Sequence, residues 1–160
     1  MDERSYPFEI GVDGLIYKFE SVSENKTILK TVSFVRIGNT DIFNVALLYP
    51  LESGELSDKI ESRNGDLPLV LATVFQIVCD FLNKFPDSAV GFRGSDARRH
   101  RLYRIAITRE LANVAGKYEI YGITASLAVV VFESNVDYDH YLIKKSKPWT
   151  RLSISDETLN

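Results

Sequence analysis

A single cysteine among 160 residues, Cys79, excludes an internal disulfide and any CxxC-type zinc site. A chain without disulfides suits a reducing compartment, so a cytoplasmic location is expected. Histidine is almost as scarce. His100 and His140 stand apart with no HxH or HExxH spacing, so each reads as a surface histidine and no metal site or other cofactor is expected. Met1-Asp2-Glu3-Arg4-Ser5 carries charge and no apolar h-region follows it, which does not read as a secretion signal. Long apolar runs are missing too. The longest, Leu67 to Phe85, is interrupted by Thr73, Gln76, Asp80, Asn83 and Lys84, and reads as a core helix rather than a membrane span of ~20 residues. No repeat, low-complexity tract or linker divides the chain, so residues 1–147 are expected to form one domain. Residues 148–160 carry little apolar material beyond Trp149 and are expected to form a poorly ordered tail.

What is present is material for a core: 45% hydrophobic residues, with 8 Tyr and 9 Phe, enough to bury a core without covalent staples. Leu15 to Val22, Ile28 to Ile37 and Ile42 to Tyr49 alternate as half-buried strands, joined by turn-prone Ser23-Glu24-Asn25-Lys26 and Gly38-Asn39-Thr40-Asp41. Beyond the turn Glu52-Ser53-Gly54-Glu55, Leu56 to Ser62 reads as a fourth strand. Asp66 as N-cap and Pro68 in the first turn open a helix over Leu69 to Phe85. Ala89 to Phe92 then reads as a short buried strand. A second helix runs from about Asp96 to Ala115, closed by Gly116, and strands follow at Tyr118 to Ile123 and Leu127 to Phe132. Tyr138, Tyr141, Leu142 and Ile143 suggest one last docking element. The fold class is α+β, a mostly antiparallel sheet packed on two helices in the order ββββ-α-β-α-ββ.

Charge is spread unevenly. The chain carries −3 overall, yet residues 93 to 117 hold seven basic side chains against two acidic ones. The turn Gly94-Ser95 enters a helix bearing Arg98, Arg99, Arg101, Arg104 and Arg109, an arrangement suited to anions. Free N–H groups at a helix start, the macrodipole and guanidinium forks all favour phosphate or carboxylate. At 100° per residue, Tyr103, Ala106, Ile107, Leu111 and Val114 share one face while Arg98, Arg101 and Arg109 fall on the other. The bland alternative is a solvated face whose arginines pair with acidic neighbours, each pair worth roughly 0–1 kcal/mol. Against it stand the exclusive use of Arg and the crowding of cations at the helix end where the dipole disfavours them. Asp80, inside an apolar helix, needs a partner, and Arg99 or Arg101 is expected to supply it. Cys79, beside Ile77, Val78 and Phe81, reads as an inert buried thiol.

Asn64-Gly65-Asp66, Val70-Leu71-Ala72-Thr73-Val74, Gly94-Ser95, Arg99 and Arg101-Leu102-Tyr103-Arg104 together resemble a family of uncharacterised bacterial proteins about one domain long, commonest in Bacteroidota. The resemblance spans Tyr6 to Ser146 and carries no function with it. Two departures from the family pattern are Leu48-Tyr49, where a Gly-Asp pair often follows the third strand, and Asp96, where a Thr or similar residue follows Gly-Ser. The element order is also similar to the N-acetyltransferase (GNAT) superfamily. That likeness would place a pyrophosphate cradle at Arg63 to Pro68, where Asp66 and Pro68 both act against it.

Three readings of function follow. The first is a non-enzymatic binding module whose arginine-rich helix contacts nucleic acid or an acidic protein partner. The second is a GNAT-like transferase or other enzyme binding a phosphorylated ligand at Gly94-Ser95, with Glu61, Asp66 and Tyr121 as candidate bases that no spacing singles out. The third is a structural homo-oligomer built through a sheet edge or the apolar segment around Tyr138 to Ile143.

Overall fold

A computed structural model describes residues 5–23, 26–50, 56–57, 66–93, 97–114 and 116–146. Among the described residues, nine strands and two helices follow in chain order: β1 (Phe8–Ile10), β2 (Ile16–Val22), β3 (Thr27–Arg36), β4 (Ile42–Pro50), β5 (Leu56–Ser57), α1 (Leu67–Lys84), β6 (Ala89–Phe92), α2 (Ala97–Val114), β7 (Tyr118–Ile123), β8 (Val129–Val131) and β9 (His140–Lys145). The strands are ordered β1-β2-β3-β4-β6-β9-β7-β8, with β5 paired to β4 off that path. Every described pairing is antiparallel except β4 with β6, whose parallel register demands the crossover that α1 provides. The α+β class and the predicted order of elements hold.

Alternation explains the strands. In β2, Tyr17, Phe19 and Ser21 are buried while Ile16, Lys18, Glu20 and Val22 face out. The turn between β3 and β4 closes through Ile37 N–H to Ile42 O at 2.9 Å, with Gly38 at φ 55. Both helices cover the same face of the sheet. Phe81 of α1 stacks on Phe34 of β3 with centroids 4.1 Å apart and meets Phe43 of β4 edge-on, while Phe92 of β6 meets Tyr103 of α2. The opposite face, with Leu29 and Val35 of β3 exposed on it, has no helix over it among the described residues.

Two predicted elements are corrected. The segment expected as a last docking element is β9, inserted between β6 and β7, with Tyr141 and Ile143 fully buried. Its two terminal lysines hide a period-two pattern that would otherwise mark a central strand. β8 is shorter than Leu127 to Phe132, because Leu127 sits at φ 69 and donates its N–H back to Thr124 O in the hairpin turn. β1 had no strong signal, being three residues after Pro7. α1 passes as a membrane helix by length and composition alone, and it is its burial, with Phe81, Leu82, Ile77 and Val78 at 0% exposure, that makes it the core helix. The turn 52–55, residues 58–62 of the expected fourth strand with Glu61 among them, the loop 63–65 and the expected tail 148–160 lie outside the described residues.

Candidate functional site

α2 carries the residues singled out from sequence. Its inner side is fixed by Ala106 and Ile107, both buried, and by Tyr103 packed against the core. Arg98, Arg101 and Arg109 therefore project from the exposed side, along with Ile105 and Thr108. Arg109 Nε lies 3.8 Å from Glu110 Oε2, a contact between chain neighbours. Arg93, just before the helix, is exposed as well. Gly94 and Ser95 lie outside the described residues, as do Asp96 and the side chains of Arg99, Leu111 and Val114.

Arg104 is different. It sits at the border of the exposed side, its side chain 24% exposed, with Nη1 3.7 Å from Asp137 Oδ1. One turn earlier, His100 is packed rather than exposed as a surface histidine should be. Its Nε2 donates to Tyr138 O at 2.6 Å, lies 4.0 Å from Asp137 Oδ1, and its ring stacks on Tyr141 with centroids 4.9 Å apart. His100 thus clamps the segment entering β9 onto α2. Tyr138 is held a second way. Its ring lies directly over Gly122, where a Cβ would fall 2.3 Å from the ring, and its hydroxyl accepts the Glu133 N–H at 3.1 Å.

Tyr141 Oη closes the cluster. The residue is 0% exposed, and its hydroxyl lies against the Tyr138 main chain and the Asp137 carboxylate. Burial pushes its pKa up and the Asp137 carboxylate adds to this, while the Tyr138 main chain and Arg104 pull the other way. His100, Asp137, Tyr138 and Tyr141 were not legible as site residues. The available signal was the helical wheel, on which His100 and Arg104, four residues apart, flank Ile107 rather than the exposed arginines.

Elsewhere, Asp80 Oδ2 takes the Tyr17 hydroxyl and Lys84 Nζ, each at 2.8 Å, while Arg101, one of the two partners expected for it, lies on the exposed side of α2 and the other, Arg99, has no described side chain. Cys79 is buried, which pushes its thiol up to about 11. His140 Nδ1 lies 2.7 Å from Asp139 Oδ2. Among the described residues no group of three or more His, Cys, Asp or Glu side chains is arranged to hold a metal ion. Asp66 does stand at the α1 N-cap, but without a capping bond, because its carboxylate instead accepts from Tyr6 Oη and Ser21 Oγ.

The fold and α2 define a sheet-and-helix domain of α+β class with a basic outer helix. Residues 2–146 match the DUF6934 family, a family of unknown function, and the chain belongs to that family. No curated protein and no solved structure matches, so the likeness to the N-acetyltransferase superfamily gains no support.

Proposed function

We propose that this protein is a cytoplasmic, non-enzymatic binding module that contacts nucleic acid through the exposed side of α2. The observation that carries this reading is the shared exposed side of Arg98, Arg101 and Arg109, a row about 16 Å long at 1.5 Å per residue. Like charges gathered along one helix side repel one another, and Arg98 and Arg101 stand in the first half of the helix, where the dipole is unfavourable to cations. A polyanion relieves both costs. Guanidinium groups also suit phosphate better than ammonium groups do, through bidentate contact. The rest of the chain is acidic on balance, which confines the attraction to this side.

The test is fluorescence anisotropy of a mixed RNA and DNA pool with the purified protein at ~50 mM and ~0.2 M salt, with Arg98→Ala/Arg101→Ala as control. Binding that weakens with salt and with the double substitution supports the reading. No binding at the lower salt sinks it, and binding to an acidic protein but not to nucleic acid assigns the same side to a different partner.

A further inference from the structure

We propose that the free edge of the sheet at β8 pairs with the same edge of a second copy of this chain, joining two sheets into one across a two-fold axis at Val130. β8 ends the strand order, with β7 on one side and no further strand beyond it among the described residues. Its three residues are all valine and all exposed, at 58%, 39% and 72% for Val129, Val130 and Val131. Such an edge invites another strand, and folded proteins ordinarily blunt it with a charge, a proline or a cover. The opposite edge is blunted in this way, since β1 follows Pro7 and carries Glu9 at its centre. β8 carries neither.

The ladder fixes which main-chain groups face outward. Thr124 N–H donates to Ala128 O at 2.9 Å and Phe132 N–H to Ile120 O at 3.1 Å, so Gly122 with Val130, midway between, is also a bonded pair. Val129 and Val131 therefore turn their N–H and C=O groups away from β7. The Val131 carbonyl meets the Tyr138 hydroxyl at 3.5 Å and keeps a second lone pair. An antiparallel copy centred on Val130 sets each Val129 against the Val131 of the other chain in the bonded register, and the side chains that meet are valine on valine, a favourable β-branched pair. Glu133, the nearest charge along the strand, falls opposite Leu127 of the second copy, so no like charges meet. A strand that is its own complement across a two-fold axis favours a second copy over an unrelated strand. The axis runs normal to the sheet and keeps Val129 and Val131, with their β7 partners Ile123 and Tyr121, on the open face, so that one apolar strip crosses the junction. Three residues a side bury well under the ~1,600 Å² of a standard stable interface, which makes the dimer a reversible one.

The experiment is sedimentation velocity of the full chain over a series from ~1 μM to ~500 μM, the range in which a small interface dissociates. A reversible monomer–dimer equilibrium is expected. Val130→Lys and Val130→Glu each place like charges on the axis, and each chain by itself should stay monomeric. An equimolar mixture of the two should regain the dimer, which a folding defect could not produce. Val131→Pro removes an N–H that faces away from β7, a change an edge strand tolerates, and should weaken dimerisation at least ~10-fold. Val35→Lys, on the open face of β3, should leave the equilibrium unchanged. A wild-type chain that is monomeric throughout overturns the proposal and leaves the edge to a strand from a different protein. A dimer that Val130→Lys leaves intact overturns it too, and so does one lost in Val35→Lys, which would place the association on the open face. Should both Val130 variants fail to fold, Val131→Pro decides, and unchanged association there overturns the pairing.

Discussion

The Tyr17 hydroxyl and the Lys84 ammonium converge on one oxygen of Asp80, each at 2.8 Å. Tyr17 is fully buried on β2, Asp80 is about one-third exposed on α1, and Lys84 is one turn further along the helix. A carboxylate within an apolar helix is tolerated because a strand hydroxyl and a helical cation satisfy it together. Burial, reinforced by the bond to Asp80, raises the Tyr17 pKa and keeps the phenol protonated as the donor.

The first expected outcome concerns this bond. Asp80→Ala leaves a buried hydroxyl without an acceptor and should cost about 1–3 kcal/mol, while Lys84→Ala removes a half-exposed i,i+4 pair and a cation–π contact with the Tyr17 ring at 5.7 Å and should cost less, about 1 kcal/mol. Tyr17→Phe in the Asp80→Ala background should cost less than in the wild type. A double-mutant cycle by urea unfolding measures the coupling, and additive effects would show that the two residues do not interact.

Gly122 sets a second expectation. The Tyr138 ring lies where a Cβ would be, 2.3 Å from its nearest atoms, so Gly122→Ala must displace Tyr138 from β7. Overpacking of this kind should cost about 3 kcal/mol. Because Tyr138 O is the acceptor for His100, the displacement should also release the β9 approach from α2. Faster amide exchange over residues 133–139 reads this out, and Tyr138→Ala in the same chain should recover part of the stability.

Much of this architecture was legible from residue periodicity. Tyr118 to Ile123 was placed to the residue, and both helices to within two residues, because Pro68, Pro86 and Gly116 punctuate them and their apolar spacing is strong. β9 was not legible as a central strand, since its partners β6 and β7 lie far off in sequence and its lysines look like a solvated tail. The exposed side of α2 followed from the wheel. The cluster around Tyr141 did not, because it depends on β9 being threaded beside β6, which brings residues 137 to 141 against α2 from nearly forty positions away. That Asp80 needs a partner is legible from its apolar helix, whereas Tyr17 as that partner is not, because the register that sets Tyr17 over α1 links residues 63 positions apart.

Cys79 gives a pH dependence. Burial, helped by the charges of Glu110 and Asp80 and opposed by the Tyr118 hydroxyl, raises its thiol from an ordinary 9.0 to about 11. The native state holds this proton more tightly than the unfolded chain. The contribution is therefore complete below pH 9 and is lost as pH rises to 11, amounting to about 3 kcal/mol across that window. Tyr118, pushed up to about 12 chiefly by burial, extends the decline to higher pH. Urea unfolding at intervals from pH 8 to pH 12 should show a slope that Cys79→Ala flattens between 9 and 11, and the native thiol should resist alkylation at pH 8. A slope unaltered by the substitution would assign the alkaline loss to other groups.

The arginine side makes a quantitative forecast for nucleic acid. Each phosphate contact contributes about 0.7 to 0.9 to the slope of log affinity against log salt, so Arg98→Ala/Arg101→Ala should reduce that slope by between ~1 and ~2. Arg104→Ala should reduce it by less, because its guanidinium is only 24% exposed and already faces Asp137. The order of the variants matters more than the absolute affinity, since non-specific cationic attraction would lower the slope equally for any arginine removed. If Arg104→Ala has the larger effect, the contact runs over the border of α2 toward β9 instead of along its exposed side. A slope that neither variant alters would place the nucleic-acid contacts away from α2 altogether.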